Sequence, residues 1–297
     1  MKNYKIIKKL GEGKFGIVYL VKKGNKEYAM KDIKISKDNV DYDDVIETTD
    51  KEIKILKKLK QLVDYEIKEY KSPNSKLNPN SVGDNNMGGI NYKLIVPYIK
   101  AIDLSKLSNK KKMKVFLKVI EKLHELHTKY GIIHNDIKPE NIMVEKNYNV
   151  YIIDYGLSCY TKNNKANVKC ISNLNGSLTY NSPTLYRMVK RDVKDVEAIN
   201  AGIKGDWWAL GISFYVITYG SFPKPYYQSM TEGDDIQKNM KKLILYIAKL
   251  DNEDVVDLLP KKTSEIDEII LDLLKIGSND KMDKKSINRI MKKYTHY

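Results

Sequence analysis

HNDIKPEN, at residues 134–141, is the stretch that decides the fold of this 297-residue chain. It follows the apolar run of residues 131–133 and places a carboxylate, a lysine and a carboxamide at fixed offsets. A second strand-like run, residues 150–153, ends in Asp154-Tyr155-Gly156. Two short strands that each deliver an acidic residue can hold a cation and a hydroxyl group side by side. The two stretches together therefore predict one polar site.

These stretches resemble the catalytic loop and the metal-binding loop of eukaryotic-type protein kinases, whose usual forms are H-R-D-L-K-P-E-N and D-F-G. The chain departs from the family at Asn135, Ile137 and Tyr155. The lysine two residues after Asp136 resembles the serine/threonine branch of the family. Asp136 taken alone is better explained as a buried, hydrogen-bonded carboxylate, so the resemblance depends on the octapeptide and on Asp154-Tyr155-Gly156 occurring together.

The resemblance implies a role for each polar residue of the two loops. Phosphoryl transfer has a loose transition state, so the protein mainly positions groups and neutralises charge. Asp136 and Lys138 are the expected catalytic residues, with Asp136 accepting the proton of a substrate hydroxyl and Lys138 lying near the γ-phosphate. Asn141 and Asp154 are the expected metal ligands, because their hard oxygen atoms suit Mg²⁺. The expected cofactors are ATP and Mg²⁺.

GEGKFGIV, at residues 11–18, lies between the strand-like runs 4–10 and 18–21. Glycines let backbone amides approach a polyphosphate closely. A G-x-G-x-x-G sequence also occurs in Rossmann turns, but a Rossmann turn opens a helix. The β-branched and aromatic residues that follow here favour a strand-turn-strand flap, which matches the glycine-rich loop of the kinase family.

Lys31 belongs to the strand-like run 28–33, which resembles the family's V-A-I-K. The resemblance implies that Lys31 contacts the α- and β-phosphates. A buried lysine needs an opposite charge nearby, and Glu52, in a stretch with apolar residues at helical spacing, is the expected partner. Glu47 is the alternative, because the acidic residues at 41–44 make the alignment ambiguous.

The resemblance also implies contacts to the rest of the nucleotide. Val96 would be the gatekeeper, Asp103 would hold the ribose and Met143 would close the adenine pocket from below. In full, the expected nucleotide-binding residues are Leu10, Gly11, Glu12, Gly13, Lys14, Phe15, Gly16, Ile17, Val18, Ala29, Lys31, Glu52, Val96, Tyr98, Asp103 and Met143.

The resemblance covers nearly the whole chain, and its motifs occur in the family's order. It implies an α+β, two-lobed, protein-kinase-like fold, with a small β-rich N-lobe carrying one main helix and a larger, mostly helical C-lobe. We expect a single catalytic domain over residues 1–297, with the N-lobe at 1–96, a hinge at 97–100 and the C-lobe at 101–297. Residues 71–91, rich in Asn, Ser, Gly and Pro, predict a long connection between two N-lobe strands.

Two helical stretches are predicted near the catalytic loop. Residues 113–130 form an amphipathic pattern, on which His124 and His127 are expected to be core or edge side chains rather than metal ligands. DWWALG, at 206–211, matches the family's D-x-W-x-x-G and is expected to open an apolar helix that runs through Tyr219. The family's aspartate holds the backbone of the catalytic loop, and the resemblance gives Asp206 that role.

GSLTYNSPT, at 176–184, resembles the G-T-x-x-Y-x-A-P-E that closes the kinase activation segment. The family's closing glutamate is Thr184 here, and its usual arginine partner is replaced by Lys281, so both sides of that ion pair have changed. Asn135 stands where many kinases have an arginine that binds a phosphate on this segment. We therefore expect activity that does not depend on phosphorylation of the segment, which substitutions at Thr161, Ser172 and Ser177 would test.

Composition limits the other classes of function. No apolar run reaches the ~20 residues needed to span a bilayer, and the N-terminus lacks the apolar core of a secretory signal, so we expect a soluble, intracellular protein without a membrane partner. Cys159 and Cys170 are too few for a disulfide framework. We expect two reduced thiols there, with a redox switch as the alternative.

The formal net charge is +15, and arginine occurs only at positions 187, 191 and 289. Specific recognition of nucleic acid favours the planar arginine fork, so we do not expect nucleic-acid binding. Lysine spread along the chain is best explained by compositional drift, and a preference for acidic protein substrates is the functional alternative. The sequence offers no oligomerisation signal, and we expect a monomer.

The predicted function is ATP-dependent transfer of the γ-phosphate to serine or threonine hydroxyls of protein substrates. One alternative is a catalytically inactive, ATP-binding pseudokinase or scaffold, although Lys31, Asp136 and Asp154 are all present. The other is a small-molecule kinase of related fold, which would usually lack both the glycine-rich flap and the segment ending near Ser182-Pro183.

Overall fold

The structure is a computed structural model, and it describes residues 1, 3–13, 16–71, 88–161, 170–171, 176–189, 195–231, 235–260, 264–279 and 284–294. Four residues with predicted roles lie outside this set: Lys14, Phe15, Ser172 and Lys281. The chain divides into two compact units, Met1–Ile99 and Lys100–Tyr297, here called unit 1 and unit 2.

Unit 1 is built on a five-stranded antiparallel sheet in the order β1-β2-β3-β5-β4. Its strands are β1 (Lys5–Gly13), β2 (Gly16–Lys23), β3 (Lys26–Ser36), β4 (Asp64–Tyr70) and β5 (Gly89–Pro97), and its helix is α1 (Tyr42–Lys58). The glycine-rich stretch is part of the β1–β2 hairpin, where Gly13 pairs with Gly16. The Rossmann alternative is therefore excluded, because the residues after the glycines continue as a strand.

The core of unit 1 follows from the alternation of its central strands. On β3, Met30 is buried next to the half-buried Lys31, so one strand sends an apolar side chain to one face and the lysine to the other. Lys31 is paired with Val18 on one side and Leu94 on the other. The register of two central strands thus fixes the position of the lysine.

Unit 2 is mostly helical. Its helices are α2 (Asn109–Thr128), α3 (Pro183–Val189), α4 (Asp195–Tyr219), α5 (Lys224–Thr231), α6 (Ile236–Lys249), α7 (Glu265–Ser278) and α8 (Lys284–Tyr294). Its strands are β6 (Ile132–Ile133), β7 (Ile142–Val144), β8 (Val150–Ile152) and β9 (Cys159–Tyr160), which form the pairs β6–β9 and β7–β8. Short 3₁₀ turns cover Leu104–Lys106, Pro139–Asn141, Leu178–Tyr180 and Asp254–Leu258. A β-sheet N-terminal unit and a helical C-terminal unit confirm the predicted fold class.

The position of the apolar helix α4 corrects one sequence prediction. The helix begins at Asp195 rather than at Asp206. Its first half buries Ala198, Ile199 and Ala201, whose helical spacing continues the apolar face of the second half. Asp206 therefore lies inside the helix. Its backbone groups belong to the hydrogen bonding of the helix, and its side chain can accept hydrogen bonds from other elements.

Close contacts to large side chains fix the neighbours of α4. The rings of Phe116 on α2 and Phe214 on α4 stack with centroids 3.7 Å apart. On the α7 side, a Cβ added at Gly277 would lie 2.3 Å from the Cβ of the fully buried Trp208. These contacts pack α4 against α2 and α7.

Among the described residues, no helix combines the length and the apolar character needed to cross a membrane.

The backbone at Gly16 gives a direct test of the β1–β2 hairpin. Its φ is +130°, and an added Cβ would lie 2.3 Å from the carbonyl oxygen of Asp32. We expect Gly16→Ala to lower the free energy of unfolding by about 1–3 kcal/mol or more, because it adds a steric clash to a backbone conformation that disfavours side chains. Chemical denaturation measures the change.

Gly11→Ala is the matched control, because an added Cβ at Gly11 would meet no described atom within 4 Å. We expect it to change stability by less than about 0.5 kcal/mol. Equal stability of the two variants would contradict the hairpin geometry.

Candidate active site

In unit 1 the structure brings Lys31 and Glu52 together. Lys31 Nζ donates to Glu52 Oε1 at 3.0 Å and to Oε2 at 2.9 Å. The Glu52 side chain is 5% exposed and that of Lys31 is 17% exposed, so water screens the pair weakly. Glu47, the alternative partner, is exposed on α1. Pairing fixes the ammonium group of Lys31 at the face of the sheet.

The glycines of the β1–β2 hairpin differ in what they contribute to the fold. Gly16 is required by its backbone conformation and by the close approach of Asp32. Side chains at Gly11 and Gly13 would meet no described atom within 4 Å. Packing among the described residues therefore does not explain these two glycines, whereas a ligand that approaches the backbone closely would.

The other predicted nucleotide-binding residues of unit 1 lie on its strands or just after β5. Leu10 and Glu12 are exposed on β1, where Glu12 pairs with Lys9, and Ile17, Val18 and Ala29 are half-buried on β2 and β3. Val96 is half-buried on β5, opposite Ala29 in the strand register, and Tyr98 follows that strand.

In unit 2, Asp136 is the most heavily hydrogen-bonded carboxylate of the catalytic loop, and it is only 8% exposed. Its Oδ2 accepts from Lys138 Nζ at 2.7 Å and from Asn141 Nδ2 at 3.2 Å. Its Oδ1 accepts from the backbone N–H of Ser177 at 3.2 Å and from the Ser177 hydroxyl at 3.1 Å. Lys138 Nζ also donates to that hydroxyl oxygen, at 3.1 Å. The four groups form one network with a fixed carboxylate at its centre.

Asn141 and Asp154 present oxygen atoms of the kind that bind magnesium. Asn141 donates its Nδ2 protons to Asp136, which leaves its amide oxygen as the group that could bind a cation. Asp154 is exposed and has φ +63°, a conformation that Asp and Asn tolerate better than other residues with side chains. A carboxylate and an amide oxygen fit Mg²⁺, which prefers few protein ligands and keeps other positions for water and phosphate oxygens.

Ile153 links the two loops that carry these ligands. Its backbone N–H donates to the carbonyl oxygen of Asn141 at 3.0 Å. Its carbonyl oxygen lies 3.0 Å from Nε2 of His134. Since Nδ1 of His134 accepts from the N–H of Asp136 at 3.3 Å, Nε2 carries the proton and donates to Ile153. The residue before Asp154 is thus bound to both ends of the catalytic loop, a contribution of His134 that sequence reasoning missed.

Asp206 holds the backbone at the start of the catalytic loop. Its Oδ2 accepts from the N–H of His134 at 2.7 Å, and its Oδ1 accepts from the N–H of Asn135 at 2.8 Å. The same Oδ2 lies 2.8 Å from Nε2 of His127 on α2. His127 is buried in the core of unit 2, as expected, and helps to satisfy a carboxylate that is 3% exposed.

Tyr155 occupies a buried apolar position and is 2% exposed. Its ring centroid lies 5.2 Å from that of His134. Its hydroxyl group, which phenylalanine would lack, donates to the carbonyl oxygen of Ile152 at 2.8 Å. The substitution therefore keeps the apolar contact and adds a satisfied hydrogen bond.

Asp103 and Met143 are the remaining predicted nucleotide-binding residues, and both belong to unit 2. Asp103 caps the 3₁₀ turn Leu104–Lys106, accepting from the N–H of Ser105 at 3.0 Å and from its hydroxyl at 2.6 Å. These hydrogen bonds, with the nearby charge of Lys106, lower the pKa of Asp103 below its ordinary value. Met143 is half-buried on β7, paired with Tyr151.

Hydrogen bonds to backbone carbonyls stand where the family uses the closing glutamate. Thr184 donates its hydroxyl to the carbonyl oxygen of Gly277 at 2.6 Å. Three residues later, Arg187 donates to the carbonyl oxygens of Ala248 and Leu250 at 3.1 and 3.0 Å, and to that of Ser278 at 2.7 Å. Lys281 lies outside the described residues. Hydrogen bonds to backbone carbonyls thus anchor α3 to the ends of α6 and α7.

The expectation of two reduced thiols is wrong, because Cys159 and Cys170 form a disulfide with their Cα atoms 6.1 Å apart. Asn135 contacts this bond: its Nδ2 donates to Cys159 Sγ at 2.9 Å and to the carbonyl oxygen of Leu157 at 3.3 Å. Asn135 has φ +64°, which favours asparagine over most other residues. The two cysteines are 11 residues apart in sequence. This spacing does not indicate whether their sulfur atoms form a bond or remain as two thiols.

No group of three or more His, Cys, Asp or Glu side chains that could hold a metal ion occurs in the part of the chain that the structure describes.

Comparison with protein families matches residues 4–293 to the protein kinase domain. Among curated proteins, serine/threonine-protein kinase 1 of Heliothis zea nuclear polyhedrosis virus is similar, with 32% identity over 164 residues, 52% of this chain and 55% of the relative. Serine/threonine-protein kinase kin-29 of Caenorhabditis elegans is 32% identical over 129 residues, 43% of this chain and 14% of the relative. NUAK family SNF1-like kinase 1 of Homo sapiens is 32% identical over 123 residues, 40% of this chain and 16% of the relative. The chain therefore matches just over half of the viral relative's length and much less of the others.

Breaking the Lys31–Glu52 pair tests the geometry of unit 1. We expect Glu52→Gln to lower the free energy of unfolding by on the order of 3 kcal/mol, because it leaves the ammonium group of Lys31 without its carboxylate in a weakly hydrated position. Denaturant titration of the purified variant measures this loss.

Glu47→Gln serves as the control, since Glu47 is exposed on the same helix, and should shift stability by less than about 0.5 kcal/mol. An equal loss in both variants, or no loss in Glu52→Gln, would refute the assigned pairing.

Proposed function

The chain belongs to the protein kinase family, and on this basis we propose that it transfers the γ-phosphate of ATP to serine or threonine hydroxyls of protein substrates. The observation that carries the proposal is the network around Asp136, whose carboxylate is bound by Lys138, Asn141 and Ser177. Such a network gives a carboxylate one orientation, which is what a base for a substrate hydroxyl requires.

Within unit 2, Asp136 would orient the acceptor hydroxyl and receive its proton. Lys138 would neutralise charge on the transferred phosphoryl group, and its bond to Asp136 keeps the ammonium beside the reacting atoms. Asn141 and Asp154 would hold Mg²⁺, which when bound neutralises charge on the phosphate oxygens.

Within unit 1, Lys31 would bind phosphate oxygens of the nucleotide, with Glu52 fixing its position. The exposed backbone at Gly11 and Gly13 would allow a polyphosphate to approach. For the adenosine part we propose contacts to Leu10, Ile17, Val18, Ala29, Val96 and Tyr98 in unit 1. In unit 2 we propose an adenosine contact to Met143 and a ribose contact to Asp103. Asp103 would then serve both as a turn cap and as a ligand group.

Two observations support serine and threonine as acceptors. Lys138 lies two residues after Asp136, as in the serine/threonine branch, and the relatives quoted above that are named for an acceptor are named for serine and threonine. A preference for acidic protein substrates is the functional alternative to compositional drift as the reason for the net charge of +15, because an excess of positive charge attracts acidic partners.

An inactive, nucleotide-binding protein is the second candidate. The arrangement of Lys31 with Glu52, and of Asp136 with Lys138, favours the active enzyme. A small-molecule kinase is disfavoured by the glycine-bearing β1–β2 hairpin and by the segment that follows Gly176.

Transfer from γ-labelled ATP with Mg²⁺ to a panel of serine/threonine proteins and peptides tests the proposal. We expect turnover at ~1–100 per second on a good substrate. Asp136→Asn should lower kcat by at least ~100-fold, because it removes the proton acceptor. Phosphoamino-acid analysis of the product should show phosphoserine or phosphothreonine.

Asp257→Asn is the control, since Asp257 is an exposed carboxylate of unit 2 outside the site, and it should keep the full rate. Nucleotide binding without transfer to any member of the panel would contradict the proposal and favour the inactive protein. Phosphotyrosine in the product would overturn the assigned acceptor.

A further inference from the structure

The Cys159–Cys170 disulfide lies beside the strand that leads into the catalytic loop. Cys159 belongs to β9, and its register partner on β6 is Ile133, the residue before His134. Cys159 is fully buried. One sulfur of the bond is thus attached to β9, and β9 pairs with β6, the strand that leads into the loop carrying Asp136.

The second sulfur anchors the other end of the bond in the core. Ile171, next to Cys170, is 2% exposed and packs in a cluster with Ile133, Leu185 and Met188. Cys170 Sγ lies 3.6 Å from the carbonyl oxygen of Ser158. The disulfide therefore joins the strand after Asp154-Tyr155-Gly156 to the core that supports α3.

Asn135 connects this bond to the catalytic loop. Its side chain donates to Cys159 Sγ, and its backbone N–H donates to Asp206. An amide group cannot offer a phosphate the charged, two-pronged contact that a guanidinium group gives. Asn135 stands where an arginine would bind a phosphate on the activation segment, and its side chain contacts a sulfur atom instead.

We propose that the Cys159–Cys170 disulfide is a thiol-responsive site that holds residues 157–161 in the arrangement needed for phosphotransfer, and that reducing it lowers activity. The expected effect on rate rests on the proposed function, whereas the existence of the site does not. A bond between two cysteines supplies by covalent chemistry the anchoring that an arginine and a phosphate would supply by charge.

The chemistry balances with a thiol as reductant. A thiolate attacks Cys170 Sγ, because Cys170 is partly exposed and Cys159 is fully buried. The Cys159–Cys170 bond breaks, Cys159 leaves as a thiolate that takes up a proton, and a mixed disulfide forms at Cys170. A second thiolate then displaces Cys170, which gives two protein thiols and one oxidised disulfide of the reductant.

The experiment equilibrates the purified protein in glutathione buffers from oxidising to reducing and measures three quantities. Alkylation and mass spectrometry count free thiols, hydrogen exchange follows the peptides over residues 131–137 and 157–161, and labelled ATP gives kcat. We expect no free thiol in the oxidised protein, and on reduction two free thiols, faster exchange, and a fall in kcat of about fivefold or more, the low end of typical coupling between a local change and a distant site.

The double substitution Cys159→Ser and Cys170→Ser is the matched control, and it should have the rate and the exchange of the reduced wild type in every buffer. The single variant Cys159→Ser should form a mixed disulfide with glutathione at Cys170. Thermal unfolding of each variant shows whether it is folded.

Two free thiols in the oxidised protein would overturn the proposal, as would equal exchange and equal or higher kcat after reduction. Faster exchange on reduction, with no phosphotransfer in either state, would support the thiol-responsive anchor and contradict the proposed function instead.

Discussion

The hydrogen bonds from the backbone of His134 and Asn135 to the carboxylate of Asp206 are the interaction on which the candidate site depends most. The chain turns sharply there, with Asn135 in the left-handed region, and two successive N–H groups point at one buried carboxylate. Each bond to a charged acceptor contributes about 1.5–3 kcal/mol, and an unsatisfied buried N–H costs a similar amount. This turn sets the backbone position of Asp136, the next residue. Hydrogen bonds from Lys138, Asn141 and Ser177 then fix the orientation of its side chain.

In the described part of unit 2, contacts other than ion pairs also support the elements near that turn. Thr184 and Arg187 bind backbone carbonyls of the helix ends, and a disulfide holds the strand beside the loop. Hydrogen bonds to carbonyls and a covalent bond respond little to ionic strength, unlike exposed ion pairs. These contacts hold the described residues 157–161 and 183–189 in a chain that has Thr184 in place of the family's closing glutamate and Asn135 in place of its phosphate-binding arginine.

The resemblance to the kinase family implied the fold class and the pairing of Lys31 with Glu52. The structure agrees with both, and strand alternation and helical spacing explain the directions of these two side chains. The start of α4 was missed because Ala198, Ile199 and Ala201 were not recognised as a continuation of its apolar face. The disulfide and the bond from Thr184 to Gly277 could not be predicted, since each depends on how segments meet in the core. The role of His134, whose two ring nitrogens join the two loops, depends on the same kind of contact between segments.

Amide hydrogen exchange at His134 and Asn135, compared between the wild type and Asp206→Asn, tests the central role of Asp206 most directly. An asparagine keeps the size of the side chain but replaces one accepting oxygen by a donor. We predict exchange about 10- to 100-fold faster at these two amides, the equivalent of losing about 1.5–3 kcal/mol of hydrogen bonding, with little change at amides of unit 1. Unchanged exchange at both amides in a folded Asp206→Asn protein would contradict the account.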